Sequence, residues 1–226
     1  MNIEPQEISD TLKTSSLLRD SIYARLREEI LGCRMAPGEE LREQELAVRF
    51  EVSKQPVREA LLRLEQERLI TVLPRQGYRV KPVSIADARD IFRFREIIEP
   101  ACAADAAQFA SDAQLRSLDE FRSFDAPAAE FIKYNRAFHI AVAMCSPHRR
   151  MREEVANLVS QADRLVLVSI GFAQGRDTNR LLAEHVAIID ALQARDGRQA
   201  ARLLRTHIID AQKRVVANLS RHAVIL

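Results

Sequence analysis

The stretch Leu41-Arg-Glu-Gln-Glu-Leu-Ala-Val-Arg-Phe-Glu-Val-Ser-Lys-Gln-Pro-Val-Arg-Glu-Ala-Leu-Leu-Arg-Leu64 reads as two short helices joined by a tight turn. Leu41, Leu46, Ala47 and Phe50 recur at helical spacing, Glu51-Val52 interrupts, and Ser53 offers a hydroxyl to cap a second helix. Pro56 is tolerated because the first turn of a helix has N–H groups without intrahelical acceptors. Val57, Ala60, Leu61 and Leu64 supply the buried stripe of the second helix, leaving Lys54, Gln55, Arg58 and Arg63 facing outward. Such side chains reach phosphates and base edges when a helix N-terminus enters a major groove, Gln pairing with adenine and Arg with guanine. The expectation is a helix-turn-helix whose second helix reads double-stranded DNA.

Working outward, Leu69–Leu73 and Tyr78–Lys81 are β-rich runs separated by Pro74-Arg-Gln-Gly77, a hairpin whose tip carries a cation and an amide. Such a wing lies beside the reading helix. On the other side, Leu18, Ile22, Leu26 and Ile30, with Leu17 and Leu31, mark a first helix that stops before Pro37-Gly38. Residues 1–14 are polar and contain Pro5, which predicts a loose arm.

The chain has 226 residues, of which 47% are hydrophobic, enough for a real core in one large or two ordinary domains. The N-terminus lacks a basic region followed by an apolar one, and the longest apolar run, near Leu165–Ala173, is too short to span a membrane. The expectation is a soluble, cytosolic protein with no membrane partner. Cys33, Cys102 and Cys145 are scattered without a CxxC and are expected to be small buried hydrophobes. The net charge of +2 says nothing about nucleic acid, but within 49–81 the cations Arg49, Lys54, Arg58, Arg63, Arg68, Arg75, Arg79 and Lys81 outnumber the acids. The bland alternative, that these arginines pair with neighbouring glutamates, is the minor one where turn, reader and wing agree with the charge.

After Lys81-Pro-Val-Ser84 the pattern changes. Ser84 with Asp87 three residues on forms an N-terminal box, and helical periodicity then runs to the end of the chain. The predicted helices span 85–109, 112–122, 128–145, 148–170, 177–194 and 198–222, punctuated by Ser111-Asp112, Asp125–Pro127, Ser146-Pro147, Gly171–Gly175 and Asp196-Gly197. The fold class is therefore mostly α: a winged helix-turn-helix of three helices and a short β-hairpin at 15–82, then an all-α antiparallel bundle of six helices at 83–226.

Three histidines stand out in the second half. His185 and His207 are equally distant from Asp196, in the most obvious turn of the region. Residues symmetric about the connection of an antiparallel helix pair lie at one height, here about 16 Å from the turn. The two imidazoles are expected to face each other. Asn135 and His139 project from one face of another helix, one turn apart, so four nitrogen or oxygen donors can converge in the bundle. Glu184, next to His185, is turned about 100° away by helix rotation, so no general base stands one turn from these donors. Arg95 shares neighbouring positions with Phe92, Ile98 and Glu99, and on spacing alone is better read as a surface arginine paired with Glu99 than as an interior cation.

Pro37-Gly38, Leu41, Glu45-Leu46-Ala47, Val52-Ser53, Pro56 to Leu61, Leu64 and Gly77-Tyr78-x-Val80 together resemble the winged helix of the GntR family of bacterial transcription regulators. Arg95 to Glu99, Asn135-x-x-Phe138-His139, Glu184-His185-x-x-Ile188, Asp196-Gly197-x-x-x-Ala201 and His207 resemble the FCD effector domain of the FadR-like branch. The resemblance implies a homodimer on operator DNA, acting as a repressor that responds to a small carboxylate effector. It makes Arg49, Ser53, Lys54, Gln55, Arg58, Arg75, Gln76 and Gly77 the DNA-contacting set. It makes His139, His185 and His207 ligands of a divalent metal such as zinc, nickel or manganese, with Asn135 where the family has an aspartate, and Arg95 an anchor for the effector. Three departures are visible: Arg68 replaces the glycine that closes the reading helix, predicting a less regular helix end there, Asn135 replaces the acid, and Ser146-Pro-His148 replaces a short turn. Two other readings are a metal-dependent enzyme built on the three histidines and an architectural DNA binder without effector.

Overall fold

The structure is a computed structural model and describes residues 5–127, 130–170 and 177–222. The chain divides into two compact units after Val83. The expected break at Gly171–Gly175, residues 128 and 129 of a predicted helix, and the ends of the chain at 1–4 and 223–226 lie outside the described residues.

In the first unit, α1 (Pro5–Leu31), β1 (Glu40–Leu41), α2 (Glu43–Phe50), α3 (Lys54–Gln66), β2 (Ile70–Leu73) and β3 (Gly77–Val80) follow in order. Where the sequence predicts a loose arm, the described chain is helical from Pro5 onward. Ile22, Leu26 and Ile30 of α1 pack with Leu46 and Ala47 of α2 and Val57, Ala60, Leu61 and Leu64 of α3 in one apolar core. Leu17 and Leu18 are exposed. Ser53 takes the N-cap position of α3 in extended backbone, but its hydroxyl makes no capping bond, contrary to expectation.

The wing is a three-stranded antiparallel sheet in the order β1-β3-β2. Strand β1 was not legible in sequence because it is two residues long, pairing Glu40 with Arg79 and Leu41 with Tyr78. That pairing explains Gly77: its φ is +120°, and a Cβ there would stand 2.6 Å from the Leu41 carbonyl oxygen.

Helix α3 does not end irregularly. Arg68 adopts φ +60°, Leu69 N–H donates to Leu64 O at 3.0 Å, and Arg68 N–H donates to Glu65 O at 2.8 Å. These are the two bonds of a Schellman motif, formed with an arginine in the left-handed position that glycine usually takes. Burial of Leu69 and Ile70 just beyond holds the chain there.

The second unit comprises α4 (Ile85–Phe109), α5 (Asp112–Ser117), a 3₁₀ turn (Leu118–Phe121), α6 (Phe131–Met144), α7 (Arg149–Ile170), α8 (Thr178–Gln193) and α9 (Gly197–His222). The predicted helix at 112–122 is thus an α turn and a half followed by 3₁₀. Ser84 caps α4 by accepting from Asp87 N–H at 3.0 Å, as its spacing predicts. Helix α4 packs along α9 and against α6, α7 and α8. Small side chains permit the close approach: Ala103, Ala106 and Ala107 are buried, and a Cβ on Gly197 would lie 3.2 Å from Ala104 O.

The α8–α9 turn is made differently from its sequence reading. Arg195, not the glycine, takes positive φ (+57°), and its guanidinium donates to Ala107 O and Ala110 O and pairs with Asp112. Asp196 caps α9 by accepting from Gln199 N–H. None of the three cysteines forms a disulfide, Cys102 and Cys145 being buried and Cys33 half-buried. Among the described residues no helix is long and apolar enough to cross a membrane.

Candidate DNA interface and histidine centre

The first unit presents the N-terminal end of α3 with Ser53, Lys54, Gln55 and Arg58 all exposed. Arg75 and Gln76 are exposed at the β2–β3 turn, with Arg75 at φ +66°. Several of these groups have intramolecular partners. Arg58 is bound bidentately by Glu43, Nε to Oε1 at 3.0 Å and Nη2 to Oε2 at 2.9 Å. The hydrogen bond from Arg58 holds the Glu43 carboxyl below its ordinary range, against the effect of burial, and the same bond raises Arg58. Gln55 donates to Glu59 at 2.8 Å, and Arg49 to Glu29 at 2.6 Å.

Arg63 keeps its side chain 43% exposed but turns toward α1. It donates to Asp20 at 2.6 Å and lies 3.7 Å over the Tyr23 ring, both on α1. Arg79 pairs with Glu40. Pairing of arginines with glutamates, read as the minor alternative in sequence, is therefore common in this unit. The Arg79–Glu40 pair is exposed on both sides, and such pairs contribute about 0–1 kcal/mol. Lys54 and Arg75 show no ion pair among the described residues.

In the second unit three helices bring the histidines together. His139 of α6, His185 of α8 and His207 of α9 are all buried, and one ligand atom from each lies within 4.8 Å of the other two. Ring centroids of His185 and His207 are 4.9 Å apart, which the mirror spacing about the turn anticipates. His185 stacks on Phe138 at 3.9 Å between centroids, with Tyr134 and Phe131 beside it, so an aromatic wall fixes its plane.

Two carboxylates orient the other two rings. His139 Nδ1 lies 2.6 Å from Glu99 Oε2, and His207 Nδ1 lies 2.7 Å from Glu184 Oε2. A carboxylate accepts, so each Nδ1 is the donor; His139 Nε2 is buried without a hydrogen-bond partner. Burial lowers His139 to about 4 despite the nearby Glu99 charge, so it is a neutral ring at neutral pH. Burial works against ionisation of Glu99 too, but Arg95 and His139 outweigh it and hold Glu99 at about 2. A neutral imidazole with a bare buried nitrogen, backed by a carboxylate, is the donor a divalent metal takes, and these residues fit one.

Two sequence expectations change here. Arg95 pairs with Glu99 at 2.5 Å as its spacing predicts, but in the interior, 4% exposed, because the ring of Phe92 and the Glu99 carboxylate line its place on α4. Glu184 is not turned away from the donors as its position next to His185 predicts: it is half-buried, and its Oε2 lies 2.7 Å from Nδ1 of His207 on α9. Asn135 is half-buried on α6, one turn before His139. Glu99 and Glu184 are the site residues that sequence reasoning left in minor roles; their signal was adjacency in helical register to Arg95 and His185. A cleft of about 460 Å³ between α4 and α9, lined by Arg89, Asp90, Arg93, Gln212, Lys213 and Val216, includes none of the histidines.

A winged helix-turn-helix in one unit and an all-helical unit holding three histidines are the architecture of a DNA-binding regulator. Residues 18–80 match the bacterial regulatory proteins of the gntR family and residues 90–210 match the FCD domain. The chain belongs to the GntR family and is a bacterial transcription regulator with an FCD domain. It is 31% identical over 221 residues to the HTH-type transcriptional repressor RspR of Escherichia coli strain K12, covering 95% of this chain and 94% of that protein. It is 30% identical over 204 residues to the HTH-type transcriptional repressor GlaR of the same strain, covering 83% and 90%. Among solved structures, E. coli McbR/YncC shares the fold with a TM-score of 0.76 at 21% identity, over 91% of this chain and 98% of that one. A putative GntR regulator from Rhodococcus sp. RHA1 does so at 0.70 and 21% identity, over 88% and 97%. GntR regulators bind operator DNA, and FCD domains bind small-molecule effectors and are often metal-binding. The family and these relatives are transcription regulators rather than enzymes, so the hydrolytic reading of the three histidines falls.

Proposed function

We propose that this protein is a ligand-responsive repressor of the bacterial cytoplasm: a homodimer sets two winged heads on a near-palindromic operator, and a small carboxylate bound in the helical unit loosens that grip. Residues 15–82 are the DNA-binding part and 83–226 the sensing and dimerising part. Repression rather than activation follows the naming of RspR and GlaR as repressors. Ser53, Lys54, Gln55 and Arg58 of α3, Arg49 of α2, and Arg75, Gln76 and Gly77 of the wing contact the DNA, Gln55 and Arg58 at base edges and the rest at the backbone.

The observation that carries the sensing role is the set of three buried imidazoles with His139 Nε2 left without a hydrogen-bond partner. His139, His185 and His207 hold a divalent ion such as zinc, nickel or manganese, with Asn135 as a weaker fourth donor. A bound ion supplies a Lewis-acidic seat for the effector carboxylate. Arg95 spends its Nε on Glu99 and offers its Nη groups to the effector. Exposed Phe94 and Ile97 on α4, three residues apart, form an apolar surface suited to a second copy of the chain.

The test is elemental analysis of protein purified without chelator, beside an operator-release assay over a panel of small carboxylates with and without chelation. About one metal ion per chain, lost in His185→Ala together with effector response, is expected. A metal-free wild type that His185→Ala leaves unaltered in effector response overturns the metal-dependent reading.

A further inference from the structure

We propose that Glu43 is a positioning residue for base reading, holding one edge of the Arg58 guanidinium so that the opposite edge is presented to a guanine. The proposal rests on the reading of α3 as the helix that enters the major groove. Glu43 lies in the first turn of α2, fifteen residues before Arg58 in α3. A carboxylate is favoured there by the unsatisfied N–H groups of the helix start. Arg58 donates from Nε to Oε1 at 3.0 Å and from Nη2 to Oε2 at 2.9 Å, while Tyr78 OH of β3 donates to Oε1 at 3.3 Å. The acid is thus gripped from the reading helix on one side and from the wing on the other.

The exposures of the two partners differ in the direction this role requires. The Glu43 side chain is 19% exposed and that of Arg58 is 52% exposed, so the acid is set into the surface and the guanidinium projects from it. A guanidinium carries five N–H donors in one rigid plane. The Nε–Nη2 edge is spent on Glu43. The Nη1–Nη2 edge keeps two parallel N–H groups, the fork that matches O6 and N7 of a guanine. Arg58 therefore need not release Glu43 in order to read. Held before DNA arrives, it loses less rotational freedom on binding and aims its fork at one base pair. A carboxylate near phosphates weakens general attraction to DNA, so Glu43 favours discrimination over raw affinity.

The opposite role is a carboxylate that blocks Arg58 until DNA displaces it, and the two roles part in one experiment. A duplex is selected from a randomised pool by the full-length wild-type protein. Its affinity and that of a scrambled duplex are then measured at one fixed salt concentration for Glu43→Gln, Arg58→Ala and the double variant. Glu43→Gln is expected to lower the selected-to-scrambled ratio roughly tenfold, relaxing preference at one G·C pair, with scrambled binding equal or tighter. In the Arg58→Ala background it changes the ratio no further, because it acts only through Arg58. A loss in Arg58→Ala with an unchanged or higher ratio in Glu43→Gln overturns the proposal and leaves the reading of α3 intact. An unchanged ratio in Arg58→Ala overturns that reading instead, and the proposal with it. Should Glu43→Gln melt below the assay temperature, Glu43→Asp carries the same test, since it keeps the charge but withdraws it by one methylene. An unchanged ratio there likewise overturns the proposal.

Discussion

His139 Nδ1 donates to Glu99 Oε2 at 2.6 Å while Arg95 Nε donates to the other oxygen of that carboxylate at 2.5 Å. The ring is thereby held by a charged chain running back into α4, all of it buried. Glu184 does the same for His207 from α8, but with its side chain 24% exposed. Loss of such a partner frees the ring to rotate and to change tautomer, which typically weakens metal binding 10–100-fold. Glu184→Gln is expected to lower zinc affinity by about that factor in a competition titration against a chelator, with the melting temperature little changed. Equal affinity in the variant and wild type would remove Glu184 from the site. Glu99→Gln is the harsher change, because it strands the Arg95 charge in the interior at about 3–5 kcal/mol.

The buried chain also sets a pH dependence in chelator-treated protein. His139 titrates near 6.5 when unfolded and near 4 in the fold, so between these values the unfolded chain binds a proton that the native one does not. Stability falls as pH drops through that window. Glu99, at about 2 in the fold against 4.5 unfolded, adds stability that is present above pH 4.5 and lost from there toward 2. Urea midpoints should be level above pH 7 and decline steadily below 6.5. A level profile between 6.5 and 4.5 would show that His139 is not buried as a neutral ring.

What could be read in the sequence depended on whether the signal was local. Apolar periodicity and the turn at Asp196 placed His185 opposite His207, because two helices joined by a short turn obey simple geometry. The Glu43–Arg58 pair had no such signal, since fifteen residues and a turn separate its members and neither spacing nor composition links them. Arg95 was paired with Glu99 correctly but placed on the surface, because a salt bridge at helical spacing is the same pattern whether exposed or buried. Strand β1 leaves no legible signal for want of length, and the contacts of Arg63 with Asp20 and Tyr23 cannot be read because nothing local places α1 beside that side of α3.

Arg68 offers a stability gain. Its left-handed backbone costs an L-residue about 1–2 kcal/mol, part of which glycine returns as extra entropy in the unfolded chain. Arg68→Gly keeps both bonds of the Schellman motif and should stabilise the protein by roughly 0.5–1 kcal/mol. Chemical denaturation of the two proteins at one pH measures it, and a loss of stability would mean that the arginine side chain contributes a contact of its own.

The exposed pair on α4 gives a test of assembly in the whole protein. Phe94 is 44% exposed and Ile97 52% exposed, one turn apart on the helix that also carries Arg95 inward. Burying them against a second copy should stabilise association by roughly 25 cal/mol for each Å² of apolar surface removed from water. Phe94→Glu with Ile97→Glu is expected to turn a dimer into a monomer in sedimentation at micromolar concentration, with helical content unchanged. A dimer that survives both substitutions would place the contact elsewhere.

Asn135 is the position where this chain departs from the acid that the FCD pattern carries, and it stands half-buried one turn before His139. A neutral amide oxygen is a poorer donor to a divalent ion than a carboxylate, and it leaves the ion's double charge uncompensated by the three neutral imidazoles. Under the proposed function that charge would be open to an effector carboxylate, and metal and effector binding are then expected to reinforce each other. Asn135→Asp is expected to tighten metal binding at least tenfold and, by placing a competing anion at the ion, to weaken the effector's action on operator binding. Calorimetric titration of metal into both proteins, followed by operator-release assays at saturating metal, reads the two effects separately. Tighter metal with unaltered effector response would mean that the effector carboxylate does not meet the ion, and unaltered metal affinity would mean that position 135 is not a ligand.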